Sequence, residues 1–371
     1  MKRKSAGWIV VGMLIIIINV SRFFPVLVEE YYSNGVYVLT SRLQRIVFGW
    51  LPFSIGDLVY AGAVIYIVIK LKLIIKQKIK KNITWRNVGI KGLGFVKTLL
   101  WTYVLFYFLW GMNYYRQGIA VQLNLQPEYG QTDIAELLDA IVIKLNEARL
   151  LISKDTVLPE PPFAQLTQGV TESYDEATKK FPFLAYDFLS AKKSMYSSVA
   201  QYMGFTGYFN PLTGEAQVRS VLPNVMQPFI LCHEAAHQLG YGSEAEANFT
   251  GFIAASSSTN AYFRYSAYLD MYSIVRNKLF FTMLQNRVDS SVIISSFKNY
   301  NTSLDTLVRF DKRKIREYFT GVQTGLSNNT SNAVMGFYDA YLKVNKQVKG
   351  VESYADVTGW LIAYRKKYGK I

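Results

Sequence analysis

The chain contains two histidines, and they lie four residues apart at His233 and His237, with Glu234 directly after the first. On an α-helix with about 3.6 residues per turn, this spacing brings both imidazoles to one face, where they can bind one tetrahedral ion. Glu234 can then accept a proton from a water that the ion activates. The HExxH pattern therefore predicts a zinc site with Glu234 as the general base.

The residues around the motif predict a short helix that is buried on the side of its ligands. Pro223 and Pro228 precede the motif and favour a helix start, and Gly240 suits a helix end. Cys232 precedes His233 and is a second candidate ligand, but adjacent helical positions point about 100° apart. We therefore interpret Cys232 as a small buried apolar residue.

The third ligand is predicted from the segment that follows the motif. Position 243, where a metzincin would place a third histidine, is Ser243. Glu244 and Asn248 are spaced i, i+4, which resembles the Glu-x-x-x-Asp element of the gluzincins, whose Glu is a ligand and whose Asp supports a ligand histidine. Glu246 is the alternative ligand, although Ser243-x-x-Glu246 also reads as a capping box. We predict Glu244 as the third ligand and leave Glu246 open.

Composition excludes several other classes of function. The 371 residues carry a net charge of +15, which suggests nucleic acid, but the basic residues cluster beside apolar runs and do not form a binding face. One cysteine excludes an intramolecular disulfide. The sequence has no Gly-rich phosphate loop and no nucleophile elbow. We predict that nucleic acid is not a partner.

Three apolar stretches, at about 7–28, 55–73 and 93–112, predict transmembrane helices. Residues 70–97 hold nine Lys and Arg and no Asp or Glu. As a binding surface this loop would contact lipid or nucleic acid, but the positive-inside rule explains it better and places it in the cytoplasm. We therefore predict a membrane domain at 1–116 and an extracytoplasmic domain at 117–371.

The second domain is predicted to be mostly helical with a small hairpin. A change of hydrophobic period on both sides of residues 211–214 indicates the hairpin, and residues 217–221 are predicted as the edge strand that pairs with substrate. Helical spacing predicts further helices at residues 133–152, 170–180, 190–202, 247–255, 261–283, 331–346 and 353–368. The fold class is therefore mainly α, with three N-terminal transmembrane helices and an α+β domain.

Four motifs carry a resemblance to known families: the exit Trp110 to Arg116, the pair Gly214-Glu215, HExxHQ, and the segment Glu244 to Phe249. The chain resembles the zincin superfamily of zinc metallopeptidases, in its Glu-ligand branch. It more closely resembles a bacterial family of membrane proteins catalogued only as a domain of unknown function. The resemblance implies a zincin-like domain in a multi-pass protein of the bacterial cell membrane, and it brings no known substrate.

The resemblance implies one Zn²⁺ ion, with His233, His237 and Glu244 as ligands and Glu234 as the base. The expected function is a membrane-anchored metallopeptidase that hydrolyses exported proteins or peptides, with the lipid bilayer as its second partner. The alternatives are a zinc-dependent cell-wall peptide amidase and a non-catalytic zinc-binding scaffold or sensor. The sequence leaves the oligomeric state open.

A developing oxyanion also needs a stabilising group, and no histidine remains for this role. A tyrosine or an arginine must supply it. Tyr338, Tyr341 and Tyr354 are candidates, but none is assigned to the site.

Overall fold

The computed structural model describes residues 2–80, 84–126, 128–198, 205–323 and 354–371. The chain forms two compact units. The N-terminal unit comprises Met1–Gln117 together with Asn210–Glu215, and the C-terminal unit comprises Gly118–Phe209 together with Ala216–Ile371. A six-residue segment from the second half of the chain is thus part of the N-terminal unit.

The described part of the N-terminal unit is helical. One of its helices begins after Ser54, whose side chain accepts a hydrogen bond from the backbone N–H of Asp57 and so caps the helix. The elements are α1 (Lys2–Ser21), α2 (Pro25–Leu27), a π-helix (Val28–Val36), α3 (Tyr37–Gly49), α4 (Ile55–Ile79), α5 (Trp85–Leu109) and a 3₁₀ turn (Gly111–Tyr115).

Two of these helices, α4 and α5, are each long and apolar enough to cross a membrane, with mean hydropathies of 2.2 and 1.5. The α4 helix contains the whole second predicted span, and α5 contains most of the third. The first predicted span, at 7–28, is not one straight helix, because the chain bends by 104° between Ala6–Ser21 and Pro25–Gly49. Proline disfavours helical geometry in the residue before it, and Phe24 is indeed non-helical. The described residues thus provide two candidate spans, or three if the bent pair crosses as one, and they indicate membrane association.

The C-terminal unit is mainly helical around a small sheet. Its elements are α6 (Ile119–Gln122), α7 (Gln131–Ile152), α8 (Phe163–Thr178), β1 (Ala191–Lys193), β2 (Gly207–Asn210, whose last residue belongs to the other unit), β3 (Glu215–Val218, whose first residue does), α9 (Gln227–Gln238), α10 (Glu244–Ser257), α11 (Ala261–Gln285), α12 (Ser290–Ser303), α13 (Thr306–Gln323) and α14 (Tyr354–Tyr368), with 3₁₀ turns at Pro182–Leu184 and Asn224–Met226.

The sheet is mixed, with the strand order β1-β3-β2. The hairpin prediction is confirmed by β2 and β3. The predicted helix at 190–202 is wrong at its start, because residues 191–193 form a strand that runs parallel to β3, with Ala191 opposite Ala216. The predicted edge strand at 217–221 is also wrong, since β3 ends at Val218 and lies in the centre of the sheet. Among the described strands, the edges of the sheet are β1 and β2.

Most of the predicted helices are confirmed, and α7 shows why. Its apolar positions at helical spacing, among them Leu137, Leu138, Ile141 and Leu145, are completely buried. This stripe packs against α11 and other helices to form the main core. The predicted helix at 331–346, with Tyr338 and Tyr341, lies outside the described residues, and so does the side chain of Tyr354.

Candidate metal centre

The motif lies on α9, as predicted, and hydrogen bonds to two neighbouring helices, α8 and α11, fix this helix. Pro228 occupies its first turn. The backbone N–H of Phe229 donates to the hydroxyl oxygen of Ser266 on α11 at 3.0 Å, and the hydroxyl of Tyr174 on α8 donates to the carbonyl of Cys232 at 2.8 Å. Gly240 follows the helix with a φ of +84°, a left-handed conformation that suits glycine. These contacts fix the helix that carries both histidines.

A hydrogen bond between Nδ1 and a carbonyl oxygen orients each of the two imidazoles. Nδ1 of His233 lies 2.9 Å from Oδ1 of Asn248, and Nδ1 of His237 lies 2.7 Å from the carbonyl oxygen of Tyr241. Because a carbonyl oxygen can only accept, we assign the proton to Nδ1 in both rings. Each Nε2 then offers a lone pair, which is the arrangement of metal-binding histidines. The rings are perpendicular, with centroids 4.9 Å apart.

The carboxylate of Glu244, the first residue of α10, lies beside both Nε2 atoms. Its Oε2 is 3.3 Å from Nε2 of His233, and its Oε1 is 3.8 Å from Nε2 of His237. Two lone pairs and a carboxylate that face one another repel unless positive charge lies between them. A cation would satisfy all three, so this donor set fits a zinc ion.

Glu234 completes the group. One potential ligand atom from each of His233, Glu234 and His237 lies within 4.8 Å of the others, and all three residues are largely or fully buried. Oε2 of Glu234 is buried and has no hydrogen-bond partner among the described residues. A buried carboxylate oxygen without a partner is unfavourable, so a water or an ion is expected to contact it.

The pKa values show how strongly the group attracts positive charge. Burial lowers the pKa of His233, but Glu244 and Glu234 outweigh this effect and raise it to about 9. Burial raises the pKa of Glu234 to about 8 and lowers that of His237 to about 4. Without a bound cation, the nearby carboxylates thus favour the protonated form of His233. A divalent cation would supply the same positive charge and displace that proton.

The carboxylate of Glu246, the alternative ligand, forms hydrogen bonds with Ser243 and with the backbone of Ile119. It forms the capping box with Ser243, whose Oγ accepts from the backbone N–H of Glu246 at 3.2 Å. Its Oε2 accepts from the Ser243 hydroxyl at 3.0 Å, and its Oε1 accepts from the backbone N–H of Ile119 at 3.1 Å. The hydrogen bonds of Glu246 thus favour Glu244 as the third ligand.

Cys232, the other candidate ligand, belongs to the buried core, where burial raises the pKa of its thiol.

Sequence reasoning missed two residues at the site. A Cβ at Gly251 would lie 2.8 Å from the backbone N of His233, so α10 approaches α9 closely at this point. A Cβ at Gly207 would lie 2.7 Å from Oε1 of Glu234, so β2 borders the same carboxylate. A glycine within a helix or a strand is the available signal for a close backbone approach. Both glycines allow other elements to lie against the motif.

The family model described as "Protein of unknown function (DUF3810)" matches residues 32–362. The chain belongs to this family. The match covers most of the chain and includes the whole motif, in agreement with the resemblance to a domain of unknown function. No curated protein and no solved structure matches the chain significantly. Since the DUF3810 description names no activity, a functional conclusion depends on the site.

Proposed function

We propose that this protein is a membrane-anchored zinc metallopeptidase with Glu234 as its general base. The observation that carries the proposal is the convergence of Nε2 of His233, Nε2 of His237 and the Glu244 carboxylate beside the buried Glu234. His233, His237 and Glu244 would hold the ion. The unpartnered oxygen of Glu234 would remain available for proton transfer.

Zinc, when bound, supplies a Lewis acid that polarises a carbonyl group and lowers the pKa of a water. The side chains of the protein account for the proton transfers. Burial raises the pKa of Glu234 to about 8, which lies near the pH at which a group can both accept and return a proton. Glu234 would take a proton from the attacking water and pass it to the leaving amine. Asn248 and the carbonyl of Tyr241 would keep the imidazoles in the correct tautomer.

The strand β2 supports a peptide as the substrate. It is an edge strand of the sheet, its Gly207 borders Glu234, and the ring of Phe209 lies 6.4 Å from that of His237. An edge strand beside a reactive group can pair with an extended peptide backbone. We therefore assign the substrate-pairing role to β2 instead of residues 217–221.

The candidate spans and the distribution of basic residues support a position of the metal centre outside the cytoplasm. If the bent pair crosses as one span, the chain crosses the membrane three times before residue 117. The basic residues between α4 and α5 then face the cytoplasm, and the metal centre faces the opposite side. The substrates would accordingly be exported proteins or peptides.

The test is peptide cleavage by the purified full-length protein in detergent, with zinc content measured on the same samples. Glu234→Gln preserves the shape of the side chain, so it should keep zinc and lose about 10²- to 10⁴-fold in activity. The control is Glu128→Gln, at an exposed position of the same unit, which should behave like the wild type.

Equal cleavage by Glu234→Gln and the wild type would contradict the proposal. Zinc-dependent cleavage of cell-wall peptide amides alone would identify the amidase alternative. Zinc binding without cleavage of any amide would favour the scaffold or sensor.

A further inference from the structure

The tip of the hairpin is anchored within the N-terminal unit, to which Asn210–Glu215 belongs. The fully buried carboxylate of Glu215 binds the start of α4. It accepts hydrogen bonds from the backbone N–H groups of Ile55 at 3.1 Å and Gly56 at 2.6 Å, and from the hydroxyl of Ser54 at 3.1 Å. A carboxylate at a helix N-terminus is stabilised by these free N–H groups and by the helix dipole.

A second anchor holds the backbone of the tip. Nε2 of Gln44 donates to the carbonyl oxygens of Pro211 and Leu212, at 3.0 Å each. A Cβ at Gly56 would overlap Nδ2 of Asn210, so the start of α4 and the tip are in contact. Two independent sets of hydrogen bonds therefore fix the tip: its own Glu215 binds the start of α4, and Gln44 of α3 binds its backbone, each across about 160 residues of sequence.

One of the two strands that leave this tip, β2, leads to Glu234 of the candidate metal centre. Asn210 is the last residue of β2, and Glu215 is the first residue of β3. Within the C-terminal unit, Gly207 of β2 borders Glu234. A strand rises about 3.3 Å per residue, so only about 10 Å of extended chain separates the anchored tip from Gly207.

We propose that Gln44 and Glu215 are positioning residues for substrate binding. By fixing both ends of the tip, they hold β2 in the place where it pairs with the peptide. The N-terminal unit then has a role beyond attachment to the membrane, because substrate affinity depends on its hold on the hairpin. This inference rests on the proposed function and deepens it.

The test uses the full-length protein in detergent, with Glu215→Gln, Gln44→Ala and the exposed control Glu30→Gln. Glu215→Gln replaces a carboxylate oxygen by an NH₂ group, which cannot accept a hydrogen bond from the donors at the start of α4. Gln44→Ala removes the second anchor without changing the cap of α4. Both should raise KM about tenfold while kcat and zinc content change by less than about twofold. Hydrogen exchange of the β2 amides should become about tenfold faster, because the strand opens more often.

Unchanged KM and unchanged exchange in both variants would overturn the inference. A smaller active fraction with the KM of the wild type would show a merely structural role and would also overturn it. If Glu215→Gln does not fold, Gln44→Ala decides. If even the wild type cleaves no peptide, the proposed function fails, but exchange in β2 still tests whether the anchors position the strand.

Discussion

In α4 of the N-terminal unit, Val64, Ile65 and Val68 each expose more than half of their surface, whereas in α7 of the C-terminal unit Leu137 and Leu138 expose none. The residue types are nearly the same, but their surroundings are opposite. Exposure of a continuous apolar surface such as that of α4 is unfavourable in water and favourable in a lipid bilayer. The first unit thus presents an apolar surface suited to a membrane, whereas the second buries the same residue types in its main core.

Buried charged side chains occur in both units, and those of the N-terminal unit include Asp57 and Glu215. The C-terminal unit buries charged side chains in sets that satisfy one another, such as Arg149 with Asp311, 2.6 Å apart, to which the hydroxyl of Tyr265 also donates. The candidate metal centre is another buried set of charged side chains, and a bound cation would compensate the charge of its carboxylates. The following predictions test the contrast between buried and exposed positions and the candidate metal centre, from the largest expected effect to the smallest.

Arg149→Met should destabilise the C-terminal unit by about 3–5 kcal/mol, because it leaves the Asp311 carboxylate buried without its partner. The measurement is thermal unfolding in detergent. The control is Arg313→Met, which breaks an exposed pair with Glu317 and should cost less than about 1 kcal/mol. Equal losses in the two variants would contradict the contrast.

Leu138→Ala should cost about 2–5 kcal/mol, since it opens a cavity in the main core. Ile65→Ala removes a similar group from the exposed apolar surface of α4, which we expect to face lipid chains that can fill the space, and should cost less than about 1 kcal/mol. Unfolding in bicelles measures both. A large loss for Ile65→Ala would show that α4 packs against protein at this position.

Asn248→Ala should weaken zinc binding by about 10- to 100-fold, because His233 loses the acceptor that orients its ring. Competition with a chromophoric chelator measures the affinity. The exposed control Asn299→Ala should bind zinc like the wild type. Unchanged affinity in Asn248→Ala would show that this hydrogen bond does not support a ligand.

Zinc binding at pH 7 should release at least one proton, with affinity falling up to about tenfold per pH unit as the solution becomes more acidic. The sign follows from His233, whose raised pKa of about 9 means that the side chain is protonated below that pH and must lose the proton to coordinate. Calorimetry in two buffers of different ionisation enthalpy counts the protons. Zinc binding without proton release would contradict a His233 ligand.

The sequence predicted those parts of the molecule that depend on local patterns. The spacing of His233 and His237 places them on one helix, the apolar stripe of α7 is buried, and Ser243 and Glu246 form the capping box. Each of these features requires only that neighbouring residues adopt a regular conformation. Glu244 as a ligand stays a prediction that the geometry favours.

The features that were missed depend on contacts between distant segments. The three-residue strand β1 has no alternation to recognise, and only its parallel pairing places β3 in the centre of the sheet. The binding of Glu215 to the start of α4 joins residues about 160 positions apart. The break after Ser21 was different, because Pro25 gave a local signal that could have limited the first span.

The most direct measurement of the central claim is the zinc content of the purified wild type beside Glu244→Ala and Glu246→Ala. The metal centre as described predicts about one zinc ion per chain in the wild type and in Glu246→Ala, and loss of the ion in Glu244→Ala. Each variant removes one carboxylate from α10, so a comparison of the two variants distinguishes a metal ligand from a residue that only caps the helix. A wild type without zinc, or a Glu244→Ala protein that binds it with full affinity, would contradict the account.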